Sequence, residues 1–449
     1  MNRENPECCV LTKKHTLVTR FGRQLLPAQH GARFLVAKIG SKEHLSDQQQ
    51  GKRGPARLSC RSAETITMKK SIAALFALSA LSTAAFAANV EIYGQVDTFV
   101  AINDNDGDVS TRIGSGAASA SHFGLKGTEV INDQMQVMFN LDSAILVDTG
   151  SFATGSSGLF DRESWVGVHH NKYGMLSFGR QYTPHFLTFA MSDPTDLSLG
   201  SSHSPFFFPS PTGVNGDAAD SLVRHSNSLF YASPEIGGAT IFAYAALGEE
   251  ADDKTSSDGN VYNLAANWKS GPLFVMGSVL YQDISGSNPA NGGFQLDGTG
   301  DPAVRMQAKG HAMYYNLAAS YDFGVTKPAI VFMKKTTSTT ARLESDNLEE
   351  PEFWVLQIGT STPMFGGRWS VSAATLHNED QDDADAWSFG TRYDYPLSKR
   401  TKVYVGFEAV MNEDNAKYSV EAGPDSSLHF ANEAGTDQRQ FFFGINHKF

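Results

Sequence analysis

The chain has 449 residues, of which 19% are charged, 41% are hydrophobic and 11% are aromatic, and it contains 41 glycines. This mixture favours strands and turns over helices, because aromatic side chains fit a pleated sheet and glycine weakens helix interiors. Residues 88–449 carry 22 basic and 43 acidic groups, a net charge of −21, which excludes nucleic acid as an expected partner. Because Cys8, Cys9 and Cys60 all precede residue 68, disulfides and thiolate chemistry are excluded from the main body.

The first recognisable element is a targeting segment at 68–87. A Met-Lys-Lys start precedes an apolar run and a small-residue end, Ala85-x-Ala87. This is the layout of a secretory signal peptide cleaved after Ala87, and the apolar run is too short to favour the alternative of a membrane anchor. Because a signal peptide lies at the N-terminus, we predict that Met68 is the true start and that 1–67 is a misassigned upstream extension.

From residue 88 onwards, apolar and polar residues alternate with a period of two. In the stretch WSFGTRYDY at 387–395, the odd positions carry four aromatic residues, whereas Ser388, Arg392 and Asp394 occupy the other face. Such alternation indicates strands with one apolar and one polar face. We predict sixteen of them, at 89–101, 119–129, 133–147, 159–170, 174–182, 224–232, 237–248, 259–269, 271–284, 311–322, 327–338, 352–361, 367–379, 384–394, 400–413 and 438–449.

Short connections alternate with long polar ones, which lie at 102–118, 183–223, 285–310 and 414–437. A meander with tight turns on one side and long loops on the other is typical of a transmembrane β-barrel. The alternative of a soluble β-sandwich is disfavoured because the apolar core would be undersupplied, whereas sixteen strands can close without an unpaired edge. The sequence therefore predicts an all-β fold, a sixteen-stranded antiparallel transmembrane barrel over 88–449.

The last strand carries an apolar stripe that ends on the final residue of the chain, and its members are Phe441, Phe443, Ile445 and Phe449. Gln440, Asn446 and Lys448 alternate with this stripe. An ordinary edge strand is the alternative interpretation. The terminal aromatic of a secreted chain favours the closing strand of a barrel.

Six stretches of the mature chain then become recognisable as a set: VEIYGQVD at 90–97, FGLKGTE at 123–129, FDRESWVG at 160–167, FGRQYTP at 178–184, RHSNSLFYASP at 224–234 and GINHKF at 444–449. They resemble the trimeric general porins of Gram-negative outer membranes, most closely the proteobacterial type that includes the neisserial porins. The resemblance implies a homotrimer in the cell outer membrane, contacting lipopolysaccharide, with the third long loop folded into the lumen. It also implies that the barrel-assembly machinery reads the terminal stripe through Phe449.

Side-chain parity and the resemblance together predict the pore wall. His122 and Lys126 share the face opposite Phe123 and Leu125, and Arg224 lies on the face opposite Leu229 and Tyr231. Arg162 aligns with a lumen-facing arginine of the family, although Val166 and Val168 share its parity. The predicted constriction wall consists of His122, Lys126, Arg162 and Arg224.

The predicted constriction loop is 183–223, with Asp193, Asp196, Asp217 and Asp220 opposite the wall. Solvated carboxylates on an irregular surface loop are the alternative. The run Phe206-Phe207-Phe208 would be costly in water, so we expect it against the barrel wall or a neighbouring subunit. Arg180, which shares parity with Leu176 and Phe178, and Trp165 are predicted as structural or interface residues.

The leading functional prediction is a water-filled channel for passive diffusion of ions and small hydrophilic solutes. His122 stands where the family usually has arginine and loses its charge near neutral pH, which together with the net charge predicts a mild cation preference. One alternative is a substrate-specific channel that uses the aromatic run 206–208 as a sliding surface. The other is a barrel enzyme such as a lipase or protease, but no catalytic spacing is found, and we predict neither enzymatic activity nor a cofactor or metal.

Overall fold

The computed structural model describes residues 89–152, 158–207, 222–248, 259–283, 310–339, 352–420 and 433–449. The predicted signal peptide at 68–87 and the upstream segment 1–67 lie outside the described residues. Within the described part of the chain, no helix has the length and apolar character needed to cross a membrane.

Antiparallel strands make up most of the described chain, and they follow one another along the sheet in sequence order. The strands are β1 (Asn89–Asn105), β2 (Asp108–Ser115), β3 (His122–Asn132), β4 (Met135–Leu146), β5 (Ser151–Phe152), β6 (Glu163–His170), β7 (Gly174–Tyr182), β8 (Arg224–Ala232), β9 (Ala239–Ala246), β10 (Val261–Ser270), β11 (Leu273–Asp283), β12 (Gly310–Tyr321), β13 (Lys327–Thr339), β14 (Phe353–Met364), β15 (Gly367–Asn378), β16 (Ala386–Pro396), β17 (Thr401–Asn412) and β18 (Gln438–Lys448).

These segments form a barrel of sixteen strands. Residues 89–95 of β1 pair with β3 and residues 98–105 pair with β2, so β2 and β3 are two parts of one barrel strand. The two-residue β5 only extends the pairing of β4. The last strand, β18, pairs with β1 over residues 95–105 and closes the sheet. The predicted sixteen-stranded barrel is therefore confirmed.

The strand β2 was not predicted, because the sequence pattern assigns 102–118 to a loop. Its side chains are mostly exposed, and its apolar face is short, with only Val109 and Ile113 on either side of Thr111. Its pairing with the extended end of β1 defines it as a strand. Period-two patterning needs several alternations to indicate a strand, and two apolar residues are too few to separate this stretch from a loop.

The barrel wall has an apolar outer face and a polar inner face. On β16, Trp387 and Phe389 are exposed on the outside, whereas Ser388, Arg392 and Asp394 are buried on the inside. The terminal stripe of β18 is likewise exposed on the outer face, at Phe441, Phe443, Ile445 and Phe449. This distribution is the reverse of a soluble core and suits a wall between lipid and water.

The barrel closes tightly where its first and last strands meet. The amide of Phe449 donates a hydrogen bond to the carbonyl oxygen of Gly94, at 3.0 Å. A Cβ atom at Gly94 would lie 2.4 Å from the carbonyl oxygen of His122 and 2.7 Å from the ring of Phe449. Only glycine allows this approach of three chain segments.

After β7 the chain turns into the barrel and forms two short helices, α1 (Pro184–Ala190) and α2 (Ser204–Phe207). Thr183 caps α1 by accepting a hydrogen bond from the amide of Phe186, and Pro184 occupies the first turn, where its missing N–H has no cost. Apolar side chains from these helices join a buried cluster with inward residues of β9–β16, among them Leu280, Met333 and Leu376. The predicted inward-folded loop is confirmed for its described part.

Candidate pore constriction

The inward loop, defined here as residues 183–207, is held along the wall by polar contacts as well as apolar ones. At its start, the amide of His185 donates to Asn263 Oδ1 at 2.6 Å. Further along, the amide of Ser202 donates to Ser372 Oγ at 3.0 Å, and Ser370 Oγ donates to the carbonyl oxygen of Pro194 at 2.8 Å. These contacts fasten the loop to strands β10 and β15.

The loop approaches β16 so closely that the strand needs a glycine. A Cβ atom at Gly390 would lie 2.2 Å from the carbonyl oxygen of Gly200. Gly200 itself has a φ of 87°, and its amide donates to Glu408 Oε2 at 3.0 Å. Beside it, the fully buried Arg392 donates to the carbonyl oxygens of Leu199 at 2.9 Å and Thr195 at 3.2 Å. Arg392 is thus a structural anchor for the loop.

Asp193, predicted as a pore-facing carboxylate of the loop, is instead folded into the loop itself. Its Oδ1 accepts hydrogen bonds from the amide and hydroxyl of Thr195, at 2.8 and 2.6 Å. Its Oδ2 accepts from Ser201 Oγ at 2.6 Å and from Gln357 Nε2 at 2.8 Å. With only 6% of its surface exposed, Asp193 ties loop to wall, and the prediction that it faces the passing ions is corrected.

Asp196, three residues further on, does reach the lumen. Its carboxylate is 2.8 Å from Arg368 Nη2 on β15, and 60% of the side chain is exposed. The backbone φ of 63° at Asp196 turns the chain at this point, a conformation that Asp tolerates better than most residues. The other two predicted acids, Asp217 and Asp220, lie outside the described residues.

The wall beside the start of the loop carries a compact set of charges. Arg162 Nε is 3.3 Å from Asp142 Oδ2, and its Nη2 donates to Tyr182 Oη at 2.7 Å. The guanidinium of Arg224 lies over the ring of Tyr182, 5.2 Å from the centroid. Tyr182 in turn stacks on Phe186 of the inward loop, with ring centroids 4.8 Å apart. The structure therefore brings the predicted Arg162 and Arg224 together through a tyrosine that sequence reasoning did not single out, and it buries Arg224 to 3% exposure.

A second layer of hydrogen bonds supports this wall. Asn140 Nδ2 donates to Glu163 Oε2 at 2.8 Å, and Trp165 Nε1 donates to Glu163 Oε1 at 3.0 Å. Tyr93 Oη donates to Asn140 Oδ1 at 2.6 Å. Trp165 pairs with Asn140 and shares its inner face, so its predicted place at a subunit interface is corrected, whereas a structural role fits its bond to Glu163.

Lys126 and His122 share the inner face of β3, the side that parity assigns to them. Lys126 Nζ is 3.3 Å from Glu91 Oε2 and lies 4.7 Å from the centre of the Tyr93 ring. The His122 ring makes an edge contact with Tyr93 at 6.0 Å, and its Nδ1 is 2.9 Å from the carbonyl oxygen of Ala120. Both side chains lie on the lumen side, grouped around Tyr93 and not around Arg162.

Arg180 lies at a bulge, since the pairing of β7 with β8 shifts between Gly179 and Gln181. It pairs with Ser164, on the opposite face from Trp165. Its Nε donates to the carbonyl oxygen of Asp161, and its Nη1 is 3.4 Å from Ser226 Oγ. The outward side predicted from parity is where the structure places Arg180.

The lumen also holds a basic group that sequence reasoning did not assign to the pore. Arg368, Arg392 and Lys402 surround Asp394 on three adjacent strands, with nitrogen-to-oxygen distances of 3.4, 3.2 and 3.1 Å. Parity along 387–395 places Arg392 and Asp394 on the inner face, but Arg368 and Lys402 stand beside turns, where alternation is short and carries little signal. Register between β15, β16 and β17 brings them together.

Two histidines of the inward loop are buried completely among aromatic rings. Burial lowers the pKa of His185 to about 3 and that of His203 to about 4, although the nearby Asp193 carboxylate acts in the opposite direction on His203. His185 is in contact with Asn316, whose Nδ2 is 2.8 Å from its Nδ1. His203 stacks on Phe189 at 4.6 Å, and no hydrogen-bond partner for either ring nitrogen is found in the described part of the chain. Both rings are neutral at pH 7.

Phe206 and Phe207 are both fully buried in the cluster that fixes the loop to the wall. Of the two predicted locations, barrel wall or neighbouring subunit, the structure selects the barrel wall for these two residues. Phe208 lies outside the described residues. No group of three or more histidine, cysteine or acidic side chains suited to a metal ion occurs among the described residues.

A closed sixteen-stranded barrel with a lipid-facing apolar wall, a polar lumen and a loop that narrows this lumen is a porin-type channel. The chain belongs to the Gram-negative porin family, whose model matches residues 74–415. It is an outer-membrane porin, as its curated relatives are.

Two of these relatives are similar over most of their length. An outer membrane porin protein of Bordetella pertussis is 26% identical over 388 residues, covering 75% of this chain and 93% of that protein. Outer membrane porin protein 32 of Delftia acidovorans is 27% identical over 386 residues, covering 85% and 100%. Among solved structures, the anion-selective porin from Comamonas acidovorans has the same fold, with a TM-score of 0.65 and 24% identity over 81% of this chain and all of the other.

Proposed function

We propose that the chain forms a water-filled pore for passive diffusion of ions and small hydrophilic solutes, constricted between the inward loop and the wall of Arg162 and Arg224. The observation that supports it best is the fastening of the loop inside the lumen, beside a preorganised set of wall charges. Selectivity in such a pore comes from the charges and radius at the narrowest point.

The charges at this constriction nearly cancel. Arg162 and Arg224 stand against Asp142 and Glu163, and the carboxylate of Asp193 is engaged within the loop. The net charge of −21 carried by residues 88–449 therefore does not lie at the narrowest point. Acidic residues cluster in the loops at the long-loop end, for example at 379–385 and 413–414.

We therefore propose that the mild cation preference predicted from the sequence depends on ionic strength. At about 0.01 M salt the Debye length of about 30 Å lets the acidic outer loops attract cations, whereas at about 1 M salt it falls to about 3 Å and only the charges that line the lumen act. The cluster of Arg368, Arg392 and Lys402 then favours anions slightly.

Planar-bilayer recordings of the purified full-length protein test these proposals. We expect stepwise conductance increases, and reversal potentials in a fixed salt gradient that move from cation preference at low salt towards anion preference at high salt. The absence of conductance steps would contradict the proposed channel function. An ion preference that is the same at all salt concentrations would contradict the role of the outer loops.

The alternatives are separated by the same recordings. A substrate-specific channel would show steps blocked by its solute, but Phe206 and Phe207 offer no sliding surface because both are fully buried. A barrel enzyme would give no large steps. The relatives are named porins, which supports a channel without catalytic activity.

We also propose a homotrimer, with Arg180 on the outward face that meets a neighbouring subunit. A solved structure of similar fold, the trimer form of OmpT, an outer membrane protein of Vibrio cholerae, has a TM-score of 0.54 and 14% identity. Unheated gel electrophoresis of the wild-type protein and of Arg180→Ala tests this, because loss of an interface residue lowers the temperature at which the trimer dissociates. An unchanged dissociation temperature would remove Arg180 from the interface.

The exposed stripe of Phe441, Phe443, Ile445 and Phe449 supports a further proposal, that the barrel-assembly machinery recognises this strand before it pairs. We also propose that the outer loops contact lipopolysaccharide, on the basis of the resemblance to the general porins. For the N-terminus we propose secretion by the signal peptide at 68–87 with Met68 as the start. N-terminal sequencing of the natural protein should give Ala88, and any peptide from 1–67 in cells would contradict the proposed start.

A further inference from the structure

The lumen contains a second charged site, separate from the wall of Arg162 and Arg224. It lies beside the short turns that join β14 to β15 and β16 to β17, at the periplasmic end of a porin barrel. A cavity of about 330 Å³ opens there, lined by Gly366, Gly367, Arg368, Asp394, Pro396 and Lys402. We call this space the periplasmic cavity.

Two cations at this cavity converge on a single carboxylate. Arg368 Nη2 is 3.4 Å from Asp394 Oδ2, and Lys402 Nζ is 3.1 Å from Oδ1 of the same group. Behind it, the buried Arg392 Nε is 3.2 Å from Asp394 Oδ2. Three cations thus share one wall carboxylate, which is 8% exposed, while Arg368 and Lys402 are 35% and 27% exposed. The side open to water is positive.

The inward loop supplies the remaining acid. Asp196 contacts Arg368 at 2.8 Å from the side of the lumen. An ion pair this exposed contributes little to stability, and within the described chain Arg368 is the one cation in ion-pair contact with Asp196. The Asp196 carboxylate can therefore leave Arg368 at little cost when another anion arrives.

We propose that the periplasmic cavity binds small solutes carrying a carboxylate or phosphate group on their way through the pore. Arg368 and Lys402 are the ligands, and Asp196 is an internal competitor that occupies Arg368 while the cavity is empty. The planar fork of arginine suits an oxyanion with two oxygens, and lysine adds a point charge from a nearby strand. Arg392 is excluded as a ligand because its donors are engaged by the loop backbone and Asp394.

This inference rests on the proposed channel function and is tested in the same bilayers. Inorganic phosphate and succinate are titrated in separate experiments against the chloride current of the full-length wild-type protein. We expect a saturable reduction of the current, and the tighter of the two probes identifies whether phosphates or carboxylates are preferred.

Three variants and one matched control assign the site. Asp196→Asn removes the competitor, so half-saturation should fall about two- to fivefold, the range of an exposed ion pair. Arg368→Gln and Lys402→Gln should each abolish the saturable component. Lys334→Gln is the control, because it removes the same charge outside the cavity. Lys334 Nζ is paired there with Glu379 Oε2 at 2.8 Å.

The outcomes are distinguishable. Conductance steps without a saturable component in the wild-type protein would overturn the site and leave the channel intact, whereas absence of steps would overturn the channel itself. An unchanged half-saturation in Asp196→Asn, or an equal loss in Lys334→Gln, would also overturn the site. Folding of each variant is checked by heat-modifiable gel mobility, and Asp196→Asn and Lys402→Gln decide the matter if Arg368→Gln does not fold.

Discussion

Charged side chains in the described lumen are arranged as bonded sets on neighbouring strands. Arg162 is joined to Asp142 and to Tyr182, and Glu163 is held by Asn140 and Trp165. Fixing each charge by a second group keeps it in place as ions pass, which a long, mobile side chain alone would not do. The electric field in the pore is therefore a property of these sets and not of single residues.

Removing one member should change selectivity in a defined direction. Arg162→Gln leaves Asp142 without its cation, so we expect the cation-to-anion permeability ratio to rise by about fivefold, since a unit charge about 4 Å from an ion in water contributes about 1 kcal/mol. Reversal potentials in a salt gradient measure the ratio. Lys334→Gln changes an ion pair outside the lumen, and at about 1 M salt, where the outer loops are screened, it should leave the ratio unaltered. A shift towards anions in Arg162→Gln would contradict the assignment.

At the residue scale, the direction of a side chain could be predicted only where the residue lies in a regular strand with alternating faces. His122 and Lys126 lie within a regular strand, so alternation was sufficient to place them on the inner face. Arg162 precedes the first residue of β6, and the family resemblance identified it where parity did not. The prediction that Asp193 faces the pore was wrong because alternation does not determine side-chain direction in a loop. Its hydrogen bonds to Ser201 and Gln357 depend on how the loop folds.

The inward loop is the element on which the constriction depends, and burial of its aromatic rings holds it in place. Phe189, Phe206 and Phe207 are all fully buried against inward residues of the barrel. The neutral rings of His185 and His203 lie within the same cluster. Aromatic burial inside a lumen that is otherwise polar is therefore the main attachment of the loop.

Acid pH should loosen this attachment. The pKa of His185 falls from 6.5 to about 3 and that of His203 from 6.5 to about 4 when the loop is packed. Because both pKa values are lowered in the packed loop, the displaced loop binds more protons. The attachment is therefore fully present above pH 6.5 and weakens as pH falls towards the lower pKa values. The loss is about 1.4 kcal/mol per pH unit for each ring. Open-channel current fluctuations should increase as pH falls from 6.5 to about 4, the window that these shifts define.

His203→Phe should reduce that pH dependence without opening the loop at pH 7. In the described residues no hydrogen bond to the His203 ring is lost, and phenylalanine can keep the stacking on Phe189. His447→Phe is the matched control, because His447 is exposed on the outer face near the C-terminal end of β18. Fluctuations that respond to pH equally in all three proteins would contradict a role for His203.

On the scale of the whole molecule, stability depends on closure of the sheet. Strand β18 pairs with β1 over eleven residue pairs, from Gln95 with Lys448 to Asn105 with Gln438. Phe449 completes the closure by bonding to Gly94. In a membrane an open edge would leave backbone groups without partners, so this single pairing decides whether the barrel can exist there.

Gly94→Ala should therefore destabilise the barrel out of proportion to one methyl group. The added carbon would meet a backbone oxygen at 2.4 Å, and overpacking of this kind costs about 1–3 kcal/mol. We expect a lower temperature for conversion of the folded to the unfolded band on gels. Gly277→Ala is the matched control, because its nearest atom is 3.4 Å away; an equal effect of both changes would contradict the closure argument.

The sequence by itself determined the barrel. Alternating apolar and polar residues specify a wall between lipid and water. The number of alternating segments and the lengths of their connections specify sixteen strands, because the alternation within each strand reflects its lipid-facing and water-facing sides. Tertiary structure alone decided the course of the inward loop, the burial of Asp193 and the meeting of Arg368, Asp394 and Lys402. These features depend on register and on contacts between residues far apart in the chain, such as Arg392 with Leu199. No local pattern encodes contacts of that range, since many registers share the same alternation.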